Sequence, residues 1–339
     1  MINRLKLALI LLFVWSFSVK HLYAQDIHFS QYYASPLLLN PSYTGMQDED
    51  WRVMGNYRTQ WRAIEKPYNT SSIAYDRKFY LYSEKFSGGI YFVNDQSGGI
   101  NLTVNQLFLS LAYHKEVNYN EFHVGVQLGW VFKSIDNSMV TLPNQFDNTS
   151  GYFNSGLSSG EILCENLNYP DFNIGIAWSR KLYNIELVIG LSLHHIFLPK
   201  ETFTEYDNFL YMRLGVQAGI KYDLTERIYI SPYLSINYHR DAREMMIGSN
   251  IGYILPFKPF DINDVFVGLH YRDPVNLRSD ALIFVAGLNL SHLYVGISYD
   301  VNISNLRAAT ANRGAFEFAF IYKGIDTDIK KKTIPCDRY

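Results

Sequence analysis

Residues 121–133 read EFHVGVQLGWVFK, and their alternation decides the fold. Phe122, Val124, Val126, Leu128, Trp130 and Phe132 fall on one face of an extended chain. His123, Gly125, Gln127, Gly129 and Lys133 fall on the other, and only Val131 breaks the rule. A period of two is the signature of a strand with one apolar and one polar face. Similar segments of about ten residues follow one another along the chain, as transmembrane β-barrels require.

Fourteen antiparallel strands are expected, near 51–61, 70–79, 86–95, 102–115, 121–133, 171–181, 184–196, 209–223, 226–239, 243–255, 263–272, 280–291, 293–302 and 313–323. About ten residues at roughly 3.3 Å each, tilted by about 40°, span roughly the 25 Å apolar band of an outer membrane. The connections sort by parity. The longest, 134–170, 197–208 and 303–312, are all odd-numbered, whereas Leu182-Tyr183, Leu224-Thr225 and Ser291-His292 are tight even-numbered turns. Long extracellular loops alternating with short periplasmic turns give that pattern.

Composition agrees. Tyrosine reaches 27 and aromatics 16 %, as expected where aromatic girdles mark both membrane interfaces. Residues 1–24 read as a secretory signal: Arg4 and Lys6, an apolar core from Leu7 to Val19, then Leu22-Tyr23-Ala24 before Gln25. Its removal takes the net charge from −2 to −5, which argues against nucleic acid as a partner. Residues 51–323 form the barrel, between a periplasmic N-terminal segment, 25–50, and a periplasmic tail, 324–339. The first of these either enters the lumen as a plug or stays a solvated tail; the lysine run Lys330–Lys332 reads as solvated.

Catalytic and metal chemistry find little support. Ser192 and His194 share a strand face, but neighbours two apart lie about 6–7 Å from each other, and no orienting acid stands near them in sequence. His194 and His195, adjacent on a strand, point to opposite sides and are not expected to chelate together. Asp48-Glu49-Asp50 lacks the spacing of a calcium loop. Cys164 and Cys336 fall on opposite sides of the membrane and do not pair. No enzyme, cofactor or metal is expected.

The N-terminal segment runs QYYASPLLLNPSYTG from Gln31 to Gly45, and the first strand adds Arg58, Gln60 and Trp61, then Pro67. Later come Ser298-Tyr299-Asp300-Val301-Asn302, Ser304, Leu306 and Gly314-Ala315-Phe316-Glu317, and finally Pro335-Cys336-Asp337-Arg338-Tyr339. From residue 26 onward this resembles the PorP/SprF family, outer-membrane proteins of the type IX secretion and gliding system of Bacteroidetes. Asp337 departs from that family's second tail proline, and the middle of the chain carries weaker motifs.

The resemblance implies a cell outer-membrane helper, not an enzyme. Its partners would be a secreted, adhesin-like surface protein with a C-terminal signal domain, the periplasmic ring and other outer-membrane components of the machinery, and outer-membrane lipid. A diffusion channel for small solutes is the alternative. Candidate contacts with a plug or a partner are Asn40, Pro41, Arg58, Gln60, Trp61 and Arg62. An arginine on a barrel strand is expected to face the lumen, because facing lipid at the midplane costs about 2–4 kcal/mol. Phe146, Tyr152 and Phe153 stand out in the long loop 134–170, with Leu157, Leu163 and Tyr169, among Asn, Ser and Gly; the loop either meets an external partner or folds in to close the pore.

Overall fold

The computed structural model describes residues 26–62, 66–98, 101–136, 143–147, 150–154, 156, 164–204, 207–240, 242–273, 280–304, 310 and 312–326. The expected signal peptide, the lysine run, Leu157, Leu163 and Cys336 lie outside them.

Fourteen antiparallel strands close into one barrel. They are β1 (Trp51–Gln60), β2 (Tyr68–Leu81), β3 (Glu84–Ser97), β4 (Leu102–Val117), β5 (Asn120–Ser134), β6 (Asn166–Lys181) and β7 (Ile185–His194). The circle continues with β8 (Arg213–Asp223), β9 (Ile228–His239), β10 (Ala242–Ile254), β11 (Ile262–Asp273), β12 (Ala281–Leu290), β13 (Leu293–Asn302) and β14 (Arg313–Gly324). β1 pairs with β14 from Trp51↔Gly324 to Gln60↔Ala315, so the sheet has no free edge.

The alternation of 121–133 is turned inside out relative to a soluble protein. Leu128 is 57 % exposed while Gln127 is 0 % exposed. The apolar row from Phe122 to Phe132 faces outward, where lipid would lie, and the polar row faces the lumen. Val131, the exception to the rule, points inward and joins a buried cluster with Tyr91, Phe108 and Tyr169.

Several strand ends differ from expectation, each for a local reason. β1 stops at Gln60 because Trp61 takes a left-handed backbone, φ 57°. β6 starts at Asn166, five residues early, since Tyr169 pairs with Val131 and Asn166 with Ser134. Tyr169, read as a loop aromatic, is therefore a buried inward residue. β8 begins only at Arg213; the stretch before it folds back on itself through the Lys200↔Phe209 bridge. Tyr82-Ser83 and Asn118-Tyr119 have positive φ at both positions, the two-residue hairpin geometry whose twist matches that of the strands.

One mouth carries the odd-numbered connections, including 135–165, 195–212 and 303–312; the other carries the short even-numbered ones. In the first of these loops Phe146–Asp147 pairs with Tyr152–Phe153 as a small hairpin. Its Phe146 and Phe153 rings meet edge to face at 5.2 Å, and all three aromatics remain exposed.

Candidate functional site in the barrel lumen

The N-terminal segment, expected in the periplasm with entry into the lumen as one outcome, lies inside the barrel over its described part. It runs as short turns, Tyr32–Ala34, Pro36–Leu39 and Pro41–Tyr43, with Phe29, Leu37 and Tyr43 buried. Proline at the start of two turns and an Asx-type cap on the third set this irregular path. Its backbone polar groups therefore need partners from the wall, and the inward strand faces supply them at four levels.

At the odd mouth, Asp26 lies 3.0 Å from Arg213 Nε and 3.0 Å from His195 Nε2. His195 Nδ1 is 2.7 Å from Asp171, and its backbone N–H donates to Asn173 Oδ1. His195 was expected to point away from His194. Instead the strand ends at His194 and His195 adopts φ 59°, which buries both rings on the inner side, 6.2 Å apart. Burial alone would lower the pKa of His195; Asp26 and Asp171 outweigh it and raise the value to about 9. Burial works upward on Asp26, but Arg213 and His195 hold its carboxyl well below the usual range.

Next comes a charged knot. The Arg58 guanidinium donates to Ser30 Oγ at 2.6 Å and to Asp300 at 2.9 Å, and stands 3.4 Å from Glu317. Arg272 donates to the same Asp300 at 2.8 Å and to Asp280 at 2.6 Å. Glu317 accepts the backbone N–H groups of Ser30 and Gln31 at 2.7 and 2.8 Å. Arg58, Arg272, Asp300 and Glu317 are all at most 2 % exposed, so water contributes little to holding their charges.

Midway down, Asn40 is the hub. Its Oδ1 accepts from the N–H and hydroxyl of Ser42, and its amide donates to Leu191 O and Gln217 Oε1 at 3.1 Å each. Gln127 donates to Leu37 O at 2.8 Å and Ser192 to Leu39 O at 3.0 Å. Gly125 and Gly175 form the matching groove, because a Cβ at either position would overlap Asn40 or Pro41. Ser192 and His194, weighed above as a catalytic pair, thus both hold Leu39 O.

Near the even mouth, Asp76 accepts two bonds from Arg52, both 2.8 Å, and one from Gly45 N–H at 2.6 Å; Arg52 also donates to Tyr43 O. Asp48 and Glu49 pair with Lys181 and Lys323 at the rim, and just before β1 the backbone is tied to β14 by Asp50 N–H donating to Gly324 O.

The candidates separate accordingly. Asn40 and Pro41 are buried in the lumen and offer no surface to an outside partner. Arg58 grips the segment directly, while Gln60 accepts only a long 3.5 Å bond from Arg58. Trp61 packs edge-on against Tyr68 at the rim, and exposed Arg62 donates to Thr59. The sequence reading missed Ser30, Asp76, Asp171, Asp300 and Glu317 as contact residues. Isolated acids at even spacing on polar strand faces were the available signal.

These features define an outer-membrane β-barrel whose lumen is filled by its own N-terminal segment. The chain belongs to the family described as "Type IX secretion system membrane protein PorP/SprF", whose sequence profile matches residues 21–322. No curated protein matches it. Among solved structures it is similar to the Ralstonia pickettii toluene transporter TbuX, at 10 % identity and TM-score 0.51, covering 85 % of this chain and 93 % of that one. The Pseudomonas putida toluene transporter TodX is comparable, at 9 % identity and TM-score 0.51, with 88 % and 94 % covered. At such identity the likeness is one of fold.

Proposed function

We propose that this protein is a non-enzymatic outer-membrane component of the type IX secretion system. It assists the export or surface anchoring of a secreted partner carrying a C-terminal signal domain, and meets the periplasmic machinery at its other rim. The odd mouth is extracellular and the even mouth periplasmic. The observation that carries this reading is the occupied lumen: residues 26–50 run from mouth to mouth, held toward each end by hydrogen bonds to buried, ion-paired wall residues. A barrel so filled presents its rims, not a pore, to other molecules. The exposed Phe146, Tyr152 and Phe153 of the odd-mouth hairpin suit a protein contact, since aromatic anchors are enriched at interfaces. A solute channel shares the barrel architecture, but this barrel would have to release its segment to conduct.

Purification of a tagged form from native membranes in mild detergent, with mass spectrometry of what accompanies it, tests the proposal. A large secreted protein or secretion-ring components are expected, and Tyr152→Ala with Phe153→Ala should reduce recovery of the secreted one. A barrel that emerges alone after crosslinking and conducts solutes in vesicles would overturn the reading.

A further inference from the structure

On the outer face of the barrel, two arginines are seated on tyrosine rings at one corner of the odd mouth, where β8, β9 and β10 meet the rim. Strand alternation sorts the side chains there. Arg213 and Glu244 turn inward to Asp26 and His28 of the N-terminal segment. Leu214 stands opposite Tyr238, and Tyr238 opposite Arg243, so these three share the outward face, and all three are exposed. The Arg243 guanidinium lies 5.5 Å from the centre of the Tyr238 ring. Arg240 opens the turn between β9 and β10 with φ 54°, and its guanidinium lies 4.1 Å from the centre of the exposed Tyr211 ring. A ring face holds a guanidinium in place while leaving the N–H donors at its edge free to bond. Arg243 makes no hydrogen bond or ion pair with any described residue.

We infer that this corner binds the phosphorylated sugar headgroup of an outer-leaflet glycolipid, whose acyl chains lie down the wall beneath it. Toward the middle of the barrel the outward side chains are apolar: Val216, Leu234, Ile236, Met245 and Ile247. The length of β10 from Arg243 to Ile254, at roughly 3.3 Å per residue and a tilt of about 40°, matches the apolar band of roughly 25 Å, so Arg243 stands at its border. A lipid-facing arginine costs little at that depth, whereas at the midplane it is strongly disfavoured. Phosphate oxygens match the guanidinium fork bidentately, and the strip below supplies the apolar contact that a free phosphate cannot use. The choice of a glycolipid, as the lipid of the outer leaflet, rests on the proposed extracellular position of the odd mouth.

The test titrates the full chain, purified in detergent and stripped of lipid, with bisphosphorylated lipid A, and reads the bound adducts by native mass spectrometry. The same lipid without its phosphates should bind about tenfold more weakly. Arg240→Gln with Arg243→Gln should lose about tenfold for the phosphorylated lipid and bind both forms alike, while Arg240→Lys with Arg243→Lys recovers part. Arg227→Gln with Lys258→Gln, which removes the same charge at the even mouth, should change neither. Equal binding of the two lipid forms by the wild type overturns the site, as does an arginine double variant that binds like the wild type or an even-mouth control that loses as much. Phosphatidylglycerol bound as tightly as lipid A overturns the glycolipid assignment. These affinities do not depend on orientation in the membrane; a reversed orientation would show instead as protection of Cys164 on intact cells.

Discussion

Arg58 on β1 and Asp300 on β13 are not on neighbouring strands, yet they meet at 2.9 Å across β14, with Ser30 of the N-terminal segment bonded to both. The segment is therefore part of the fastening between the first strand and the last ones. Removing one partner of a buried pair leaves a charge unpaired and costs about 3–5 kcal/mol. Arg58→Ala should lower the temperature at which the folded barrel loses its anomalous gel mobility, and Arg58→Lys should recover only part of it. An unchanged transition would show that the knot does not support the barrel.

Gly175 admits Asn40 with no room to spare. Gly175→Val should displace the segment from the mid-lumen, because overpacking of this kind costs about 1–3 kcal/mol. Wild-type protein in planar bilayers should be silent or nearly so, and the variant should conduct. Equal conductance of the two proteins would mean that the segment does not seal the lumen.

The anchor at Asp26 is expected to depend on pH. His195 has its folded pKa raised to about 9, above an ordinary value of about 6.5. Its contribution is thus fully present below about pH 6.5, shrinks above that, and is lost as pH rises through about 9. Asp26 shifts the other way, so its contribution is lost as pH falls through the acid range. With the native thiols replaced by serine, the rate of Ile27→Cys with an impermeant maleimide should rise from pH 7 to pH 9 by more than that of an exposed reference cysteine, whose rise reports the thiolate fraction alone. In a His195→Gln background that excess should vanish; its persistence would place the titration elsewhere.

Cys164 is an exposed free thiol in the long odd-mouth connection. On intact cells, with Cys336 replaced by serine, an impermeant maleimide should label it. Protection on intact cells combined with labelling after lysis would reverse the assigned orientation.

The barrel was legible because the same rule repeats strand after strand: Phe122 to Phe132 outward, His123 to Lys133 inward. Closure could be expected from strand number and loop parity, and the structure has both. The interior was far less legible. Asn40 meets Leu191 and Gln217, and Ser30 meets Glu317, across separations of more than 150 residues that no local pattern records. Gly125 and Gly175 look like ordinary strand glycines until Pro41 and Asn40 are placed against them. His195 misled because strand alternation was extended one residue past the strand's end.

The route of the N-terminal segment bears on how the molecule is made. Residue 26 sits at one mouth and residue 50 at the other, after which the chain turns and climbs the wall as β1. A finished cylinder would have to swallow about two dozen residues lengthwise to reach this state. It is simpler for the curling sheet to wrap around a strand of chain already laid across its inner face, with Ser30 waiting for Glu317 of the last strand. The segment from residue 26 to residue 50 then acts as a mandrel: the circle closes on it, and a chain lacking it would have to close on water.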